Sequence, residues 1–223
     1  IRQYAADPRV IGIAPHLTGE GIINYGTKDR GVSMIGVDPE LERTASVVDD
    51  YLEHKNLDKL VTDRNSVILG SELARDLGIK EIGKKITIVS PAGGLYTLEV
   101  ADFFDSGITS IDKTRVYFNM RTLQAILDKP NQVNELIVKL KDVDNAESMA
   151  REMSTDTGYY AESWQRAFRN FLQIFKMQNM ITYMIVFAIL IVSAFGIFNI
   201  MMMTVLEKKK DIAILKAIGY EDR

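Results

Sequence analysis

Cysteine is absent from the 223 residues, which excludes disulfides, thiolate metal sites and thiol catalysis together. Histidine occurs twice, at His16 and His54, far apart and outside any HExxH pattern, so a metal site would have to draw chiefly on carboxylates. His16 follows Pro15 near a strand end and is expected to be exposed or hydrogen-bonded. Positive charge is short as well: the formal net charge is −3, and no stretch before residue 200 gathers basic residues densely enough to hold nucleic acid.

Motifs of soluble enzymes fail one by one. In GVSMIGVD, Gly31 and Gly36 have the spacing of a phosphate loop, but Val37 and Asp38 stand where Lys and Ser or Thr would meet phosphate and magnesium. GEG at residues 19–21 begins a dinucleotide pattern that ends on Asn24 in place of its third glycine. Asp49/Asp50 and Asp142/Asp144 are pairs of the kind that sit solvated on surfaces. Ser71 lies in LGSEL rather than in a GxSxG elbow and is expected to cap a helix. No catalytic constellation emerges, and no cofactor is implied.

What the chain does have is segregation. Residues 177–206, MQNMITYMIVFAILIVSAFGIFNIMMMTVL, are thirty residues without one charge, where a bilayer needs about 20. Apolar on every face, the run predicts a transmembrane helix rather than a buried core helix. Lys208, Lys209 and Lys210 follow as interface anchors, with Lys216 and Arg223 beyond them, and the positive-inside bias places this end in the cytoplasm. On the other flank, Trp164, Phe168, Phe171 and Phe175 recur at helical spacing, as in a stalk packing on a neighbouring helix or a helix lying on the membrane surface. Nothing there breaks a helix before the span, so residues 164–206 are expected to be continuous.

Residues 8–163 predict one α+β domain. Strand signals fall at RVIGIAPHL, GVSMIGV, SVILG, KKITIVS, LYTLEVADFF, TRVYFN and NELIVKL, and helical spacing at PELERTASVVDDYLEH, SELARDLG, MRTLQAILD and NAESMAREMS. Glu72 suits the positive end of its helix and Gly78 its close, while SPAGGLY at residues 90–96 reads as a hairpin connection.

After the lysines, DIAILKAIGY opens on Asp211, sets Ile212, Leu215 and Ile218 along one side and Lys216 on the polar side, and is expected to stop at Gly219. A stripe so short buries little area alone and calls for a partner. Here FNIMMMTVLEKKKDIAILKAIGY resembles the helix end and cytoplasmic turn of FtsX-like ABC transporter permeases. FNI and DIAILKAIG within it, and ILGSELARDLGIKEIGKKITIVSP at residues 68–91, resemble the lipoprotein-releasing permeases of the LolC/LolE type. Together the motifs directly cover about a fifth of the chain.

The resemblance implies a four-helix permease with a two-lobed α+β extracytoplasmic domain like the MacB periplasmic core, followed by a long stalk and transmembrane helix and a short cytoplasmic coupling helix. Residues 1–163 would be the periplasmic domain, 164–206 the stalk and second membrane helix, and 207–223 the coupling segment. The chain opens on Ile1 and is expected to be a piece of a longer inner-membrane protein. In the family, the segment matching Asp211 to Gly219 docks on an ABC ATPase subunit that uses the ATP. Further implied partners are a second permease subunit, membrane lipid and a lipoprotein cargo. Family members that recruit a soluble carrier do so through an extended hairpin at the place of SPAGGLY, which is short here. A MacB-like exporter of peptides, haem or small toxic compounds is an alternative. A membrane-anchored sensor, which would need no apolar stripe after its lysines, is one of another class.

Overall fold

In the computed structural model, which describes residues 2–219, the chain divides into two units, residues 1–145 and 146–223. The first is built on seven strands: β1 (Val10–Tyr25), β2 (Lys28–Val37), β3 (Ser66–Gly70), β4 (Lys85–Val89), β5 (Leu95–Phe104), β6 (Arg115–Asn119) and β7 (Glu135–Leu140). Each of the seven apolar runs read from the sequence falls on one of them. Helices α1 (Arg2–Ala5), α2 (Pro39–Ala45), α3 (Lys59–Thr62), α4 (Ser71–Leu77), α5 (Thr109–Asp112) and α6 (Met120–Ile126) are interspersed. This is the α+β architecture expected.

The sheet has the order β2-β6-β3-β5-β4-β1-β7, and β2 also pairs with β1. The pairing therefore runs in a ring through β1, β2, β6, β3, β5 and β4, with β7 added on the first half of β1. Period-2 alternation decides what each strand buries. Val67 and Leu69 of β3 and Val116 and Phe118 of β6 enter one core with Leu73, Leu77 and Leu123 of α4 and α6. Ile68, Tyr117 and Phe104 enter a second core with Leu52, Leu57 and Leu60.

Strand β1 is longer than its sequence signal, which ends near Leu17. It continues to Tyr25, turns through Gly26 at φ +63° and Thr27, and pairs back along β2 from Tyr25↔Lys28 to His16↔Val37. A two-residue hairpin turn of this kind favours glycine, which pays no steric cost at positive φ. The glycines of GEG and GVSMIGVD thus lie on strands. Helix α2 ends at Ser46, short of the span its periodicity suggests, because the Ser46 hydroxyl accepts the Val48 N–H at 3.2 Å and a short 3-10 turn, Val48–Tyr51, comes next.

At α4 the N-cap is Gly70. Ser71 is already helical, and its Oγ is buried without a hydrogen-bond partner, so the expected cap is not made. Glycine is required at 70 for space, since a Cβ there would collide with the Asp112 carbonyl. Glu72 does sit in the first turn, and Gly78 closes the helix at φ +86°. SPAGGLY is the β4–β5 hairpin, closed by Ser90 N–H to Gly94 O at 2.9 Å and Gly93 N–H to Ser90 O at 2.9 Å. His16 is buried and meets Glu42 Oε2 at 2.7 Å. His54 Nδ1 lies 3.0 Å from Asp102, a buried carboxylate that also accepts the N–H groups of His54, Asn56 and Phe103.

The second unit contains α7 (Ala146–Thr157), α8 (Trp164–Ala167) and α9 (Arg169–Ala217).

Candidate membrane span and coupling segment

Ahead of the long apolar helix, one carboxylate gathers three donors. Ser163 caps α8, its Oγ accepting the Arg166 N–H at 3.3 Å while donating to Glu147 Oε2 on α7 at 2.5 Å. Arg166 reaches Glu147 Oε1 at 2.8 Å and Arg151 reaches it at 3.1 Å. The Ser163 hydroxyl, then Arg166 and Arg151, hold the Glu147 carboxyl down at about 2, and Glu147 in turn raises the Arg166 guanidinium. Sequence reading missed this cluster, although a Ser immediately before a helical run is an N-cap signal.

Helix α8 is separate from the long helix after it. Phe168 leaves helical geometry at φ −100° and ψ 19°, and α9 starts at Arg169. Neither proline nor glycine marks the step, so the aromatic periodicity runs across it in the sequence and conceals it. The break is one residue deep: Phe168 N–H bonds Trp164 O at 2.9 Å, and Leu172 N–H bonds Phe168 O at 3.0 Å. Phe168 and Phe171 stay in contact, ring centroids 6.3 Å apart.

From Arg169 to Ala217 the helix is unbroken for 49 residues, a rod of roughly 74 Å at about 1.5 Å per residue. It is long and apolar enough to cross a membrane. Leu172 apart, all of it is exposed. Within the uncharged stretch, Thr182 and Thr204 return their hydroxyls to the carbonyls of Gln178 and Ile200 at 3.0 and 2.9 Å, which satisfies them in hydrocarbon. A side chain at Gly196 would meet open space, and Asn199 is exposed three residues on.

The segment after the span differs from expectation in one respect. Asp211 does not open a new helix, because α9 passes through Lys208, Lys209 and Lys210 without interruption. Glu and Lys are good helix formers, no Gly or Pro intervenes, and Lys208 pairs with Asp211 at 3.2 Å across one turn. Ile212, Leu215 and Ile218 fall along one side, and Ile214, which the sequence reading left out, widens the stripe; all four are exposed. Lys216 lies beyond the edge of that stripe in the last turn, where a cation suits the helix C-terminus. Gly219 ends the helix as expected, at φ +94° with its N–H on Lys216 O at 3.2 Å. Tyr220 and Arg223 lie outside the described residues.

Among known proteins, residues 1–156 match the MacB-like periplasmic core domain and residues 183–223 match the FtsX-like permease C-terminal region. The lipoprotein-releasing system transmembrane protein LolC of Xylella fastidiosa is 28% identical over 96% of this chain and 54% of its own length. LolC of Neisseria meningitidis serogroup B is 24% identical over 94% of this chain and 53% of its own, and LolE of Haemophilus influenzae 23% identical over 98% and 55%. The chain thus spans about half the length of these relatives. Among solved structures, the periplasmic region of MacB from Actinobacillus actinomycetemcomitans aligns with 72% of this chain and 73% of that one, at 12% identity and a TM-score of 0.49. A family match that covers residues 1–156, the sheet unit and nearly all of α7, followed by a permease match that begins within the apolar rod, identifies the chain as a member of the MacB-like periplasmic core domain family, continuing into an FtsX-like permease region.

Proposed function

We propose that the chain is part of the permease subunit of an ABC transporter that releases lipoproteins from the bacterial inner membrane, passing the motion of a partner ATPase to a periplasmic domain. The observation that carries this reading is α9 itself, one helix that joins the stalk, the uncharged run and the exposed stripe of Ile212, Leu215 and Ile218. A motor bound at one end of a helix does work at the other only if the element between them is stiff. The names of the LolC and LolE relatives support lipoprotein as cargo.

On this reading residues 1–163 are periplasmic and the end beyond Lys208 is cytoplasmic, in accord with the positive-inside bias. ATP is hydrolysed by the separate ATPase subunit, the permease itself holding no cofactor, and a second permease subunit and lipid cover the exposed faces of α9. Asp211, Ile212, Leu215, Lys216, Ile218 and Gly219 form the ATPase contact, and Lys208, Lys209 and Lys210 anchor the rod at the headgroups.

Ile212→Glu and Leu215→Glu, made in the full-length protein, test this. Each is expected to lower lipoprotein release by about tenfold or more, since a charge then replaces an apolar contact. Thermal unfolding of the outer domain should be unchanged. Release at the parental rate in both variants would count against the assignment.

A further inference from the structure

We propose that the outer unit carries a peptide-binding groove, between the first half of β5 and α6, that takes an extended acidic segment of another protein by strand addition. The inference does not depend on the transport reading. Strand β5 has its β4 partner from Leu95 onward, through Val89↔Leu95 to Lys85↔Glu99. Its other neighbour, β3, begins only at Ser66 opposite Glu99. Residues 95–98 therefore lack a strand on that side.

The direction of the free groups is set by the ladder. Glu99 donates its N–H to Asn65 O at 2.7 Å on the β3 side, while Val100 donates to Lys84 O at 2.9 Å on the β4 side. Alternation then turns the N–H and C=O of Leu95 and Thr97 toward the open side. There they form the edge that an incoming backbone pairs with.

The facing wall is α6. Arg121 and Thr122 lie in its first turn, and Ala125 and Ile126 one turn on; with β5 they bound a groove of about 420 Å³, within the roughly 300–1,000 Å³ of ligand sites. Buried Leu98 and Ile126 supply an apolar floor beside exposed Leu95. One end is closed where the Thr122 hydroxyl donates to the Arg64 carbonyl at 2.6 Å.

Charge selects the occupant. Arg64 and Arg121 both line the groove, no Asp or Glu does, and among the described residues neither guanidinium has an ion-pair or hydrogen-bond partner. A strand that pairs with Thr97 and sets alternate side chains on Leu98 and Ile126 brings a carboxylate to the two arginines, which bind such groups through a planar fork of donors.

The test uses the full chain in lipid nanodiscs and two fluorescent octapeptide pools, alternating Thr with Val, Ile or Leu, one pool ending in Asp with a free carboxylate and the other in amidated Lys. Fluorescence anisotropy should show saturable binding of the Asp pool and at least about tenfold weaker binding of the Lys pool. The double variant Arg64→Glu with Arg121→Glu should lose the Asp pool. Thr97→Pro should do so as well, because it removes the N–H on the open edge and leaves the groups paired with β4 in place. No saturable binding of the Asp pool to the parental chain overturns the proposal, as does binding that survives either substitution or that is equal for the two pools.

Discussion

Ser71 shows how a residue with the right chemistry loses its expected role to a neighbour. Its sequence context suits an N-cap, yet the cap falls on Gly70, where Asp112 leaves no room for a Cβ, so the helix starts one position earlier and the Ser71 hydroxyl is buried and unpaired. Ser71→Ala should therefore leave stability unchanged or raise it by up to about 1 kcal/mol, where loss of a true cap costs about 1 kcal/mol. Chemical denaturation of the two proteins decides between these signs. Glu147 makes the opposite case, a residue unremarkable in the sequence that three donors single out. Its carboxyl is held at about 2 against an ordinary 4.5, so what it contributes is fully present above pH 4.5 and is lost as the pH falls toward 2. The chain's one tryptophan, Trp164, begins the helix that Ser163 caps and reports on this loss. Its fluorescence should change between pH 4.5 and 2 in the parental protein and not in Glu147→Gln, and identical titrations of the two would remove Glu147 as the cause.

At the scale of elements, the strands were the most legible part, because a strand that lies between the two cores is buried on both faces and reads as a short continuous apolar run, as at residues 67–69 and 116–118. The second half of β1 was not, since Gly19 and Gly21 dilute the apolar pattern by which a strand is read. Boundaries within the second unit were hidden for a different reason. The break at Phe168 carries no proline or glycine, and the lysines that mark the end of an apolar run are themselves good helix formers, so α9 continues where composition suggested a stop. The spacing of Ile212, Leu215 and Ile218 was legible; its continuity with the span was not. If that continuity transmits motion, Lys210→Pro should uncouple release, because proline removes a helix hydrogen bond and costs about 3 kcal/mol in a helix interior. Insertion and the fold of residues 1–145 should be preserved. Release at the parental rate in a correctly inserted Lys210→Pro protein would show that a stiff connection at that point is not needed.

For the whole molecule, lengths and charges set the constraints. The uncharged stretch of α9, residues 177–206, spans about 45 Å against a hydrocarbon core of about 30 Å, so the rod either tilts or carries apolar residues beyond the lipid. Its exposed length therefore calls for cover from other helices and lipid, in keeping with a chain that spans about half the length of its relatives. On the proposed function, the stripe beyond the lysines meets an ATPase. The absence of cysteine from these residues makes a single Leu215→Cys unique within them. Introduced into the full-length protein and crosslinked in membranes of the native host, it should capture an ATP-binding subunit, with less capture when Ile212→Glu is added. A folded, inserted Leu215→Cys protein that captures no ATP-binding protein would contradict the account.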